Sequence, residues 1–262
     1  MAMLKYEIMD NNKQEWVVFV HGIAGSTLTW KKQIEDFSKE YNLLFLDLPG
    51  HGSNSDNIIK KVNIKELNKS IKDTLDFLEI KRAHFVGLSL GTLVIAFFAI
   101  NNPEYVKSIV FGGSVILLTN IYKIIIKLIN KMKRILPYNR AYKTFAWFLL
   151  PKKNHKKSRD IFLREAAKLK KETMFAWFEY LSTQINLKKI IKQLRSLNIK
   201  MLFISGDEDH CFIGGTKKLI HKLNNAKIRI IEHCGHVCSI EKFKEFNSFV
   251  IDYLTKQAPA SR

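Results

Sequence analysis

Between residues 16 and 113, short apolar runs alternate with stretches of helical spacing, and no other feature of the chain limits its fold as much. "WVVFV" (16–20), "NLLFLD" (42–47), "AHFVG" (83–87) and "VKSIVFGG" (106–113) are β-branched and aromatic runs of strand length. Between them, residues 26–41 carry Leu28, Ile34 and Phe37 at helical spacing, with Ser26 as an N-cap. Residues 63–79 place Ile64, Leu67, Ile71, Leu75 and Leu78 on one helix face, and 90–100 form an apolar helix stopped by "NNP". Strands joined by helical crossovers pair in parallel. The expected class is therefore α/β, a mostly parallel twisted sheet flanked by helices.

The alternation breaks at residue 114. Residues 114–195 read as helix almost throughout, and strands resume at "IKMLFIS" (199–205) and "AKIRIIE" (226–232), with helices at 215–223 and 239–254. The expected organisation is a core of residues 1–113 and 196–256, an inserted helical cap at 114–195, and a disordered polar tail at 257–262. A chain of 262 residues is long enough for one such domain.

"HFVGLSLGTLVIAFFAI" (84–100) sets one hydroxyl, Ser89, between Gly87 and Gly91 where a strand meets a helix. An elbow there would expose the hydroxyl and aim the amides of the helix N-terminus at it, which suits a nucleophile beside developing negative charge. A serine hydroxyl is a poor nucleophile unless a base takes its proton and an acid orients that base. Two later strands run into such groups. "MLFIS" leads to "GDEDH" (206–210), with Asp207 and Asp209, and "IRIIE" leads to "HCGHVC" (233–238), with His233 and His236. Serine, acid, histidine is the chain order of a hydrolase built on a parallel sheet.

Five ordered segments resemble the motifs of the α/β-hydrolase fold serine hydrolases: "HGIAGSTLTW" (21–30), "DLPGHGSN" (47–54), "GLSLG" (87–91), "GDEDH" (206–210) and "GHVCSIEKFKEFNSFVIDYL" (235–254). The resemblance covers about residues 16–113 and 196–254. It implies Ser89 as nucleophile, Asp209 in preference to Asp207 as the orienting acid, and His236 as general base. It implies an oxyanion hole made by the backbone N–H groups of Ile23 and Leu90, with His21 and Gly22 shaping that loop. Thr92 stands where the family often has glycine, and "HCFIGG" (210–215) replaces a common proline. The activity implied is cleavage of a carboxylic ester or thioester through an acyl-serine intermediate, first as a carboxylesterase acting on a small-molecule ester or acyl substrate. A lipase or thioesterase taking membrane lipid or carrier-bound acyl chains, and a non-catalytic ligand receptor, stay open. Esterases, acyltransferases, thioesterases and C–C hydrolases share the fold, and the cap selects among them.

No cofactor is expected. "HCGHVC" holds ligand-type residues, but its spacing is not that of a zinc pair and the central histidine is already assigned, so no metal is expected either. Three cysteines and a charged "MAMLKYEIMD" start point to a reducing, cytoplasmic setting. The net charge of +19 suits an acidic carrier protein or an anionic membrane surface, and no nucleic-acid motif accompanies it; lysine enrichment throughout the chain is the plainer reading. A basic amphipathic helix is expected at 120–136. Phe145, Trp147, Phe148, Phe175, Trp177 and Phe178 are candidates either for an acyl pocket or for the interior of the cap.

Overall fold

The computed structural model describes residues 3–117, 124, 128, 137–184 and 186–257. The expected tail beyond residue 257 and all of the expected 120–136 helix except Ile124 and Leu128 lie outside the described residues.

Among the described residues seven strands make one sheet: β1 (Lys5–Met9), β2 (Trp16–Val20), β3 (Asn42–Asp47), β4 (Ala83–Leu88), β5 (Val106–Gly112), β6 (Lys200–Gly206) and β7 (Ala226–Ile231). Their order is β1-β3-β2-β4-β5-β6-β7. Every neighbouring pair is parallel except β1 with β3. The middle strands are buried on both sides, so side chains of alternating residues enter opposite cores. Val18, Val20, Leu44, Leu46, Phe85 and Ile109 face one, and Val17, Phe19, Leu43, Phe45, Val86 and Val110 face the other.

Helices α1 (Lys31–Phe37), α2 (Ile64–Phe77) and α3 (Leu90–Asn101) follow β2, β3 and β4. After β5 come α4 (Tyr138–Leu149), α5 (Lys156–Lys168), α6 (Lys171–Glu179) and α7 (Leu187–Ser196), then α8 (Ile213–Ile220) after β6. The chain closes with α9 (Cys238–Glu241) and α10 (Phe243–Thr255). α2 and α3 bury Leu67, Ile71, Leu93 and Ala96 in the first core, and α1 and α10 bury Phe37, Phe246 and Val250 in the second. Among the described residues no helix is long and apolar enough to cross a membrane.

Three local features differ from the sequence reading. β1 was not foreseen: it is an edge strand with no buried face, held by its ladder to β3, so it lacks the apolar alternation that marks a strand. The helix expected over 26–41 is a 3₁₀ turn (Thr27–Trp30) followed by the short α1. The helix expected over 239–254 is broken at Lys242 (φ −131°, ψ 52°), which leaves α9 as a separate turn.

Candidate active site

The elbow lies at the C-terminal end of β4. Ser89 has φ 51° and ψ −115°, a region that a residue bearing a side chain rarely adopts. The glycine at 91 answers to space. A Cβ there would stand 2.1 Å from the Val20 carbonyl oxygen, so only glycine lets α3 start this close to β2. Thr92 braces the bend: its hydroxyl donates to the Ser89 carbonyl (2.6 Å) and accepts from the Val115 N–H (3.3 Å).

Two later strand ends bring the acid and the base to Ser89. His236, in the loop after β7, stands with Nε2 2.8 Å from the Ser89 Oγ and Nδ1 2.9 Å from Asp209 Oδ2. Asp209, in the loop after β6, is fully buried and also accepts from the Phe212 N–H. The Phe212 ring packs on the imidazole at 4.7 Å. Asp207 is exposed and spends its carboxylate on the Cys234 N–H (3.2 Å). His233 sits on the surface, in a left-handed turn. Of the four acid and base candidates, the fold therefore brings Asp209 and His236 to the serine and leaves Asp207 and His233 in the loop framework.

Ile23 and Leu90 both lie beside the serine. Leu90 opens α3, where helix geometry leaves its N–H without an intrahelical acceptor. Gly22 packs directly against Ser89, since a Cβ on it would be 3.1 Å from the Ser89 Cβ. His21 controls the orientation of this loop. It is buried, and burial depresses its pKa to about 4, so the ring is neutral. Its Nε2 accepts from the Leu48 N–H (3.0 Å), which leaves the proton on Nδ1 to be donated to the Gly22 carbonyl (2.7 Å). The Gly25 N–H donates to the same oxygen. With that carbonyl fixed, the Ile23 N–H across the same planar peptide must face the opposite way. The loop at 47–54 packs behind. Asp47 accepts from the Thr27 and Ser53 N–H groups, and the buried His51 is pushed down to about 3 by desolvation and by the neighbouring His21.

A cavity of about 50 Å³ opens on Ser89 and His236. Its apolar wall comes from Ile23, Leu88, Val237 and Ile240 of the core and from Leu149, Ile161 and Phe162 of α4 and α5. Among the described residues lining it, Glu165 is the sole Asp, Glu, Lys or Arg. None of the six aromatic candidates lines this cavity. Trp177 and Phe178 are buried inside the cap, where Phe145 stacks edge-on against Phe178, and Trp147 is exposed under the Arg159 guanidinium.

Sequence reasoning missed a second set of groups around the triad. Glu241 accepts from the Gly235 N–H through Oε2 (2.8 Å) and from the Val237 N–H through Oε1 (3.0 Å), the two residues flanking His236. His155, buried between α4 and α5, has Nε2 2.8 Å from Glu208 Oε2 and 3.8 Å from Glu241 Oε2. Hydrogen bonds from Asn154, then Lys152, and from His155 draw the Glu208 carboxyl down to about 2. Asn154 also donates to the His233 carbonyl. One cap connector, residues 152–155, thus touches both the acid loop and the base loop. The signal for Glu241 was its place five residues after His236; nothing in the sequence linked His155 to partners more than fifty residues away. The cysteines are buried and unbridged, and burial pushes the Cys234 and Cys238 thiols up. Among the described residues no group of three His, Cys, Asp or Glu is arranged to hold a metal ion.

Residues 15–243 match the model of the family described as alpha/beta hydrolase fold. The chain belongs to that family. It is 27% identical to a 2-hydroxy-6-oxononadienedioate/2-hydroxy-6-oxononatrienedioate hydrolase of Cupriavidus pinatubonensis, over 92% of this chain and 86% of the relative. Among solved structures it superposes at TM-score 0.81 on one reported with carboxylesterases of the thaumarchaeon Nitrososphaera gargenis, at 20% identity, covering 97% of this chain and 94% of the other. It superposes at TM-score 0.80 on an alpha/beta hydrolase enzyme from a Medee basin deep-sea metagenome library, at 25% identity, covering 99% and 96%. This member of the family carries the sheet, the strained elbow and the helices α4–α7 inserted between β5 and β6.

Proposed function

We propose that the protein is a serine hydrolase that cleaves a neutral carboxylic ester or thioester through an acyl-serine intermediate. The observation that carries this reading is the continuous relay from Asp209 through His236 to Ser89, at 2.9 and 2.8 Å, on the strained elbow. Ser89 Oγ attacks the carbonyl carbon while His236 Nε2 takes its proton, and Asp209 holds the Nδ1–H tautomer and balances the imidazolium. The Ile23 and Leu90 N–H groups receive the tetrahedral oxyanion, where loss of one such donor typically costs ~10²–10³ in rate. His236 then protonates the leaving alcohol or thiol. A water, deprotonated by the same nitrogen, releases the acid. No step requires a cofactor.

The charge of the cavity wall favours a neutral acyl group. The relatives named as dienedioate hydrolases act, by that name, on a dicarboxylate. A substrate of that kind calls for cations at the site, whereas the described wall here carries the Glu165 carboxylate. The test is a panel of p-nitrophenyl esters, acyl thioesters and dicarboxylate monoesters, run beside fluorophosphonate labelling. Wild type should label and turn over the neutral esters, and Ser89→Ala should do neither. A folded wild-type chain that stays unlabelled would instead support the ligand-receptor reading.

A further inference from the structure

We propose that the segment between β5 and β6 docks the protein on an anionic lipid surface. The excess positive charge is not spread through the chain. Residues 113–199 hold 20 of the 43 Lys and Arg but 4 of the 24 Asp and Glu, so a third of the sequence carries +16 of the net +19. Lysine enrichment throughout would have loaded the sheet and its flanking helices as well, yet these are close to balanced.

The described helices show where the charge points. α7 buries Leu187, Ile190 and Leu194 and turns Lys188, Lys189, Lys192 and Arg195 to solvent, with no acidic partner for these four among the described residues. On α4, Arg140, Lys143 and Trp147 are exposed at spacings of three and four, which makes them one face. Large apolar side chains stand exposed in the same segment: Trp147 at 55%, Ile124 at 56% and Leu128 at 52%.

That mixture selects the partner. Basic side chains distributed over several helices match a plane of negative headgroups better than the single narrow face of a small acidic protein. Exposed tryptophan and aliphatic side chains among lysines suit the boundary between headgroups and acyl chains, and polyanions in water offer them nothing apolar. Nothing in this inference depends on the catalytic reading.

The experiment is sedimentation with vesicles of phosphatidylcholine alone, or with about 30% phosphatidylglycerol, an anionic content within the range that gives a substantial negative surface potential. Wild type should partition onto the anionic vesicles and not the neutral ones. Raising salt from about 0.1 M to about 1 M shortens the screening length from about 10 to about 3 Å and should release it. Replacing Lys188, Lys189, Lys192 and Arg195 by Gln should weaken partitioning at least tenfold, since each basic residue near such a surface contributes about fivefold. The control, Lys217→Gln, Lys218→Gln and Lys222→Gln together on the core surface, should stay within about threefold. Circular dichroism without vesicles reports that each variant is folded. Trp147 emission should shift to the blue on binding and lose the shift in Trp147→Phe. Equal binding to both vesicle types, binding lost as much in the core control, no blue shift, or binding to polyglutamate but not to vesicles would each overturn the proposal.

Discussion

Replacing Glu241 with Gln should slow catalysis as well as weaken the fold. In the native loop each carboxylate oxygen takes one backbone N–H, from Gly235 at 2.8 Å and Val237 at 3.0 Å. The amide keeps one oxygen acceptor and turns its NH₂ towards the other N–H, so one charge-assisted bond is lost and two donors face each other. A hydrogen bond to a charged group is worth ~1.5–3 kcal/mol, which puts the cost near 2 kcal/mol. Because the two amides bracket His236, that cost falls on the alignment of Nε2 with Ser89. Fully expressed in the barrier, 2 kcal/mol corresponds to a kcat lower by about 30-fold. KM should hardly move, because Glu241 does not line the cavity. The melting temperature should fall by about 4–8 °C for a chain of this size. Steady-state kinetics on a short p-nitrophenyl ester, with a thermal melt on the same preparation, separates the two effects. A kcat within threefold of wild type together with the full drop in melting temperature would refute the reasoning, leaving Glu241 as a fold-holding residue only.

Asp209→Asn should lower kcat by ~10³–10⁴, as expected when the base loses its tautomer control, whereas Asp207→Asn should stay within about tenfold. If kinetics gave the reverse order, the acid would be misassigned. Gly91→Ala should yield no folded protein by circular dichroism, because its Cβ would collide with the Val20 carbonyl at 2.1 Å. Stability should also depend on acid. Burial lowers His21 to about 4 and His51 to about 3, below the ordinary value of 6.5, so the unfolded chain binds these protons first. The stabilisation is complete above about pH 6.5 and is lost as pH falls towards 4, at up to ~1.4 kcal/mol per pH unit for each ring. Melts that stay flat between pH 6.5 and 4.5 would count against two neutral, buried imidazoles.

Where each residue's own neighbours carried the information, the sequence was a sufficient guide. The parallel strands are buried on both faces, so their apolar runs are unbroken, and the elbow announces itself because two glycines are forced by local crowding. The preference for Asp209 over Asp207 came instead from the resemblance to the family's acid turn, and the fold carries Asp209 inward and leaves Asp207 outside. β1 escaped notice because an edge strand needs only backbone hydrogen bonds, which leave no mark in a sequence. The break at Lys242 and the bracing of His236 by Glu241 were hidden differently. No glycine or proline marks the break, and Glu241 meets the Gly235 and Val237 amides only because the loop after β7 doubles back on itself. His155 is the extreme case, since its partners come from two other loops. The uneven charge, by contrast, was present in the sequence throughout and needed only the strand boundaries to become visible.

The connector at residues 152–155 carries a further consequence. It is stapled to Glu208 on one side and lies against Gly235 and Glu241 on the other, while α4 and α5 on either side of it roof the serine. A rearrangement large enough to lift that roof for an incoming ester must strain or break these same attachments. Any such movement is therefore felt at once by the two loops that present Asp209 and His236 to Ser89.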